Sequence, residues 1–339
     1  MKRKLASVVR IVTVAPIANA DRIELARVSG WQCVVKKGEV RPGDLAMYLE
    51  IDSVPPDSPR YAWLWQPKGA AAPVPRPEKF RIRTATLRGV LSQGLLLPLE
   101  AVGIDGVQEG DDVTERLGVT KYEPPPPTGM GEYRGPFPGL VPKTDEQRVQ
   151  SAPSVLDELR GRPFVATVKM DGTSTTFLML DGELHVCGRN HSILEGENLY
   201  WYVAKKRRIG EVLAKAPRLA IQGEIVGPGI QRNPVGLADK DLFVFSVFDT
   251  GDGRCLDDAE LRAFCREHGL EPVPVAFEGE RFDETVESLL AKAEGLYPGT
   301  KSQREGIVIR PREELRSDVL AGRLSFKAIS NAYLLGERD

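Results

Sequence analysis

Four consecutive prolines, Pro124 to Pro127, constrain this chain more than any other segment. Each one fixes its own φ, removes a backbone donor and pushes the residue before it out of helical geometry, so no helix or sheet interior can run through them. The flanking residues Tyr122-Glu123 and Thr128-Gly129-Met130-Gly131 carry no hydrophobic period either. A stiff linker is predicted over residues 121–139, with a surface loop inside a single domain as the competing reading. The 339 residues then divide into units 1–120 and 140–339, each long enough to bury a core.

The first unit alternates short β-rich runs with turns. Strands are predicted at Ser7 to Val14, Glu24 to Val28, Gln32 to Val35, Leu45 to Leu49 and Gly94 to Pro98, spaced by Gly, Pro, Asn and Asp and without a strong helix. That pattern predicts an all-β barrel of the OB type. Past the prolines the pattern changes. Strands are predicted at Phe164 to Val168, Thr173 to Leu180, Glu183 to Gly188, Arg218 to Val226 and Leu242 to Phe248, the last buried on both faces. Helices are predicted at Ser154 to Arg160, Asn198 to Lys215, Asp257 to His268 and Asp283 to Glu294, with Asp257 and Asp283 as N-caps and Gly269 and Gly295 as stops. The second unit is therefore expected as an α+β domain of antiparallel sheets with flanking helices.

Composition excludes several classes. Hydrophobic residues at 41% and charged residues at 28% argue against disorder or a fibrous repeat. No run approaches the ~18 apolar residues of a membrane span, and no apolar stretch follows the Met-Lys-Arg-Lys start, so a cytoplasmic location without a membrane partner is expected. The four cysteines are too scattered for a disulfide framework and read as reduced thiols. Cys255, Cys265 and His268 lack the tight pairing of a closed zinc site, so no zinc is expected. Net charge is -2, so only local basic patches could meet a polyanion.

Chemistry concentrates in the second unit. Thr167-Val168-Lys169-Met170-Asp171-Gly172 puts a lysine at the end of an apolar strand, just before a turn. Lysine attacks phosphorus only as the free amine, and partial desolvation beside other cations is expected to lower its pKa; a plain hairpin is the alternative. Glu224 stands in the apolar strand Ile221 to Val226, and Glu305 stands just before Ile307 to Ile309. Lys327 lies on a further apolar strand. Together with Arg189 these charges suit a nucleotide and a metal ion, although salt bridges would account for each one singly.

The ordered series Lys169-Met170-Asp171-Gly172, Arg189, Glu224, Phe248-Asp249, Glu305-Gly306 and Lys327 resembles motifs I to V of the covalent nucleotidyltransferases: DNA ligases, RNA ligases and capping enzymes. Gly223 to Gln231 and Arg323 to Lys327 resemble the RNA ligase branch. Ala18 to Leu25, Gly30-Trp31 and Gly43-Asp44 resemble tRNA-binding OB domains. The whole is similar to the Deinococcus-type ATP-dependent RNA ligases, with an OB domain ahead of the nucleotidyltransferase domain. Ile329 stands where the superfamily often has a second lysine. Only 12 residues follow Lys327 in this sequence, leaving no room in it for the C-terminal OB domain of DNA ligases and capping enzymes.

The resemblance implies sealing of RNA 3'-OH and 5'-phosphate ends through a lysyl-AMP intermediate on Lys169 and an adenylylated RNA end, with Mg2+ or Mn2+, in RNA repair. It implies ATP contacts from Val168, Lys169, Arg189, Glu224, Phe248 and Lys327, with Phe248 stacked on adenine, and metal contacts from Glu305, Asp171 and Glu224. RNA ends, whether in a nicked duplex or free, are the expected partner. Lys79, Arg81, Arg83 and Arg88, four cations without an acid, are expected to form a phosphate track on a strand, with a merely solvent-facing strand as the competing reading. Lys205 to Arg208 read as a solvated face or a polynucleotide contact, and Trp63 and Trp65 as base platforms or packing. A noncatalytic OB-fold RNA-binding protein, a DNA ligase and a capping-type enzyme are the alternatives.

Overall fold

The computed structural model describes residues 3–67, 74–123 and 131–336. The expected polyproline segment, Pro124 to Pro127, lies outside the described residues. Backbone packing separates two compact units, Met1–Pro126 and Pro127–Asp339. The segment expected as linker is already ordered at both ends: Lys121 pairs with Ser53, and Tyr133–Pro136 pairs with His191–Ile193.

In the first unit the strands are Ala6–Arg10 (β1), Thr13–Pro16 (β2), Ile23–Val28 (β3), Trp31–Lys36 (β4), Leu45–Leu49 (β5), Ser53–Val54 (β6), Thr84–Leu87 (β7), Val90–Gln93 (β8), Leu95–Pro98 (β9) and Thr120–Lys121 (β10). They form separate ladders, β1-β5-β9, β2-β3-β4, β7-β8 and β10-β6, so the expected barrel is not closed by backbone pairing. Side chains bridge one gap: Gln32 Nε2 donates to the Leu91 carbonyl (3.0 Å) and the Val34 amide to Ser92 Oγ (3.0 Å). One short helix, Leu99–Val102 (α1), interrupts the all-β pattern. Trp31, Cys33, Ala46 and Tyr48 anchor one core cluster; Met47, Leu49 and Leu97 anchor another. Alternate residues of β5 thus feed opposite sides of its sheet.

The strands of the second unit are Tyr133–Pro136 (β11), Gln147–Arg148 (β12), Phe164–Lys169 (β13), Thr173–Leu180 (β14), Glu183–Cys187 (β15), His191–Ile193 (β16), Leu219–Val226 (β17), Asp241–Asp249 (β18), Arg254–Cys255 (β19), Glu271–Pro272 (β20), Val275–Gly279 (β21), Gly306–Pro311 (β22), Arg316–Ser317 (β23), Gly322–Arg323 (β24) and Phe326–Ile329 (β25). One sheet runs β11-β16-β15-β14-β17-β18-β19, with β20 added in parallel to β18. The other runs β12-β25-β22-β13-β21, with β12 parallel to β25 and the other pairs antiparallel.

The helices are Val155–Leu159 (α2), Leu199–Lys206 (α3), Ile209–Lys215 (α4), Asp258–His268 (α5), Val286–Ala293 (α6) and Asn331–Gly336 (α7). Helices α3, α4 and α5 bury Tyr200, Leu213 and Phe264 against the larger sheet, while α2 and α6 bury Leu159 and Leu289 against the smaller one. Each sheet therefore has its own core. The single helix expected over Asn198 to Lys215 breaks at Arg208, whose φ is +51°. Asp257 caps α5 and Gly269 stops it in the left-handed region, as expected. Thr285 caps α6 in place of Asp283, which pairs with Arg160 at 2.6 Å.

Candidate active site

The last ladder pair between β13 and β22 is Lys169 opposite Gly306, which brings the strand-end lysine next to Glu305. Lys169 Nζ lies 2.6 Å from Glu305 Oε2, with both side chains mostly buried. The expected lowering of the Lys169 pKa does not occur. Burial pulls it down, but Glu305, Glu224 and Glu146 outweigh burial and hold it above the ordinary lysine value. Lys327, paired in register with Val308 on the same sheet, behaves as Lys169 was expected to. Burial first, then the like charges of Lys169 and Arg148, bring it down to about 8.

Glu224 comes from the other sheet, on β17. Burial, opposed by Lys169 and reinforced by Glu305 and Asp171, pushes its carboxyl up to about 8. Asp171 accepts a hydrogen bond from the Tyr333 hydroxyl at 2.8 Å. Gly172 lets the chain leaving Lys169 run close against β17: a Cβ on it would lie 2.3 Å from the Ile225 carbonyl oxygen and 2.7 Å from Val226 Cγ1. Its φ lies outside the left-handed region, so the requirement is for space, not for turn freedom. Val168 is buried with Met170, Val226, Val273 and Tyr297 beneath the lysine.

Lys169, Glu305, Glu224, Asp171 and Lys327 thus converge. Two other expected nucleotide residues stand apart. Arg189 forms an exposed ion pair with Asp145 at 2.6 Å. Phe248 packs with Val141, Leu178, Cys187, Ala220 and Cys255, in register with Ala220, four residues along β17 from Glu224. At ~3.4 Å per residue that is roughly 14 Å from the carboxylate strand position. Phe243 is the aromatic in register with Glu224. A cavity of about 710 Å³ has Phe248, Gln222, Ser246, Arg254 and Arg323 in its wall together with Asp145, the partner of Arg189, and Glu146, whose charge acts on Lys169 and Lys327; none of the five converging residues themselves line it.

Sequence reasoning missed three contributors. Glu146, in a loop without a motif, lies 3.1 Å from buried Arg310, accepts a 3.0 Å bond from Ser325 Oγ and sends its charge toward Lys169. Burial would raise its carboxyl, but Arg310, Arg323 and Lys327 hold it below the ordinary range. Tyr297 and Tyr333 hold main chain and side chain of the lysine segment through their hydroxyls. A lone tyrosine in the polar turn Gly295 to Arg304 was the available signal for Tyr297.

The basic patches resolve differently from expectation. Lys79 to Arg83 is not a strand; pairing of the Ile82 backbone with Asp52 and Ser53 takes the segment out of alternation, and β7 begins only at Thr84. Arg81 is tied to Asp52 at 3.0 Å and lies over the Tyr122 ring, whereas Lys79, Arg83 and Arg88 are exposed. Lys205 pairs with Glu195, Lys206 with Asp239, Arg207 with Asp241 and Arg208 with Glu211, which favours the solvated face. Trp65 packs edge-on against Phe80 at 5.2 Å, while Trp63 is exposed.

Comparison with known proteins bears on this geometry directly. An RNA ligase profile matches residues 162–329, which contain all five converging residues, and an OB-fold domain profile matches residues 5–99. A solved structure of a Naegleria gruberi RNA ligase mutant with AMP and Mn is 38% identical, with 98% of each chain covered and a TM-score of 0.82. This chain belongs to the RNA ligase family. A second Naegleria gruberi RNA ligase mutant, with ATP and Mn, gives the same values, and the enzyme with PPi is 39% identical with a TM-score of 0.80 over 98% of each chain. No curated protein matches the chain. The ligase is an ATP-dependent enzyme with an N-terminal OB-fold domain, as its motif series implies. Among the described residues, no helix is long and apolar enough to cross a membrane.

Proposed function

We propose that this ligase seals RNA 3'-OH and 5'-phosphate ends through Lys169, in cytoplasmic RNA repair, with residues 140–339 forming the adenylyltransferase domain and residues 1–120 presenting RNA. The observation that carries the reading is the lysine at the end of β13, 2.6 Å from Glu305 and flanked by Glu224 and Lys327. Relatives solved with ATP, AMP and PPi support ATP as cosubstrate.

In the first step Lys169 releases its extra proton to water, and the free amine attacks the α-phosphorus of ATP as the bond to the bridging oxygen breaks; pyrophosphate leaves and a second amine proton is lost to solvent. In the second the RNA 5'-phosphate takes AMP from the lysine; in the third the 3'-OH displaces AMP. All three are in-line displacements, so positioning and charge neutralisation dominate. Lys327 meets the α-phosphate, which relieves its repulsion with Lys169. Phe243 is better placed than Phe248 to face the nucleotide, and Arg189 acts outside the cluster on the incoming end.

Mg2+ or Mn2+ fits this donor set. Glu305, Glu224 and Asp171 converge on Lys169, and burial together with this crowding pushes the Glu224 carboxyl up to about 8, yet among the described residues no three acidic, His or Cys groups form a preformed metal cage. That arrangement suits a cation held by one or two carboxylates with water and phosphate oxygens, Glu305 first among them. When bound, it supplies positive charge to the triphosphate. Glu305 meanwhile holds the Lys169 proton in the nucleotide-free site.

Incubation with α-labelled ATP and Mg2+ followed by denaturing electrophoresis tests the reading. The wild type is expected to carry label, and Lys169→Ala and Lys169→Arg none, since alanine has no amine and guanidinium no available lone pair. Label on either variant refutes Lys169 as the nucleophile. Sealing of nicked-duplex and single-stranded RNA, measured side by side, identifies the preferred ends.

A further inference from the structure

The β13–β22 ladder runs from Phe164 opposite Pro311 to Lys169 opposite Gly306 and stops there. One residue further on, the Glu305 amide donates to the Tyr297 hydroxyl at 3.2 Å, and that hydroxyl donates to the Lys169 carbonyl at 3.1 Å. A side chain thus takes the place of the next backbone rung. It ties together the main chains of the two residues whose side-chain tips meet at 2.6 Å.

Tyr297 is itself firmly held. It is 1% exposed, with its ring among Val168, Met170, Val226 and Val273. Its amide donates to the Ser302 carbonyl at 3.0 Å, and its carbonyl accepts from the Thr300 amide and hydroxyl at 3.1 Å. Arg304 locks the base of the same turn by donating to the carbonyls of Lys292, Ala293 and Glu294. The hydroxyl is therefore a fixed point relative to which both strand ends are placed.

We infer that Tyr297 is a positioning residue for transfer of AMP to the enzyme: its hydroxyl bridge sets Lys169 and Glu305 in the relative placement that the attack on the α-phosphorus needs. It touches neither nucleotide nor metal and acts only through those two main chains. This rests on Lys169 being the nucleophile, as proposed above. A purely structural tyrosine would contribute only its ring to the apolar cluster.

The test uses the full chain. Tyr297→Phe keeps the ring and deletes the bridge. Single-turnover labelling at saturating ATP and Mg2+ is expected to slow at least about tenfold, since small misplacements of reacting groups carry costs of that order. The ATP concentration giving half-maximal rate is expected to stay within about twofold. Joining of a chemically pre-adenylylated RNA 5' end to a 3'-OH is expected to stay within about twofold too, because that substrate no longer requires attack by Lys169. Val273→Ala thins the same cluster but leaves the hydroxyl, and is expected to label at close to the wild-type rate at equal folded fraction.

A labelling rate for Tyr297→Phe within twofold of wild type overturns the inference. So does an equal loss in both assays, or an equal slowing by Val273→Ala. A wild type that takes no label refutes the function of Lys169 instead, whereas a labelled wild type with a fully active Tyr297→Phe refutes only the role of Tyr297.

Discussion

Replacing Lys327 by methionine is expected to stabilise the nucleotide-free ligase while removing its activity. Burial and the neighbouring Lys169 and Arg148 charges bring Lys327 from 10.5 to about 8. That difference corresponds to about 3 kcal/mol of unfavourable interaction in the charged form. The sign follows from linkage. The unfolded chain takes up the lysine proton near pH 10.5 and the folded chain only near pH 8, so stability falls as pH drops between those values and stays reduced below them. Methionine keeps a similar length of apolar side chain and carries no charge. Urea unfolding of both proteins at steps from pH 6.5 to 10.5 therefore reads out the difference. Lys327→Met is expected to exceed wild type by about 2–3 kcal/mol at pH 7, with the gain shrinking toward zero near pH 10.5, because Glu224 titrates in both proteins and cancels. Adenylylation by the variant is expected to be at background. A variant less stable than wild type at pH 7, or a difference that does not change with pH, refutes the reasoning.

Glu305→Ala is expected to cut adenylylation by orders of magnitude across a full Mg2+ titration with a stability change of about 1–2 kcal/mol or less; labelling kinetics and thermal melting check the two parts, and a wild-type rate at any Mg2+ concentration contradicts the metal role. The triple substitution Lys79→Ala, Arg83→Ala and Arg88→Ala should weaken end joining and flatten its loss with salt but leave labelling of Lys169 intact, and equal joining by both proteins removes the RNA track from the first unit. Glu146→Gln leaves Arg310 buried without its carboxylate and should cost about 3–5 kcal/mol in urea unfolding. Because the Glu146 pKa is held below its unfolded value, the wild type is expected to lose that advantage as pH falls below 4.5.

The parts of the site legible in the sequence are those where a charge interrupts an apolar strand. Glu224 and Lys327 stand within apolar strands and Glu305 just before one, and an unpaired charge in such a place is costly enough to mark itself. Lys169 was legible in position but not in protonation, because its partner lies 136 residues away and no local pattern reports a 2.6 Å ion pair. Phe248, expected on adenine, pairs with Ala220, four residues along β17 from Glu224. The irregularity between Gln222 and Gly223 shifts the pairing of β17 with β18, so strand position alone does not tell which aromatic stands opposite Glu224. The basic strand at Lys79 to Arg83 failed because Ile82 spends its backbone groups on residues 52 and 53, a long-range choice that alternation cannot reveal. Glu146, Tyr297 and Tyr333 come from loops or the last helix, where polar residues are common and carry no periodic signal.

Gly172 has a consequence for reading this protein's descendants. A side chain there would have to displace the backbone of β17 at Ile225, so the position tolerates one amino acid for as long as β14 stays paired with β17, whatever becomes of catalysis. Lys169 is under no such steric rule; its side chain ends in an ion pair that a fold can survive without. A lineage that stopped joining RNA would lose the lysine quickly and keep the glycine. Within the same four-residue string, one position records whether the architecture persists and another records whether the enzyme still works.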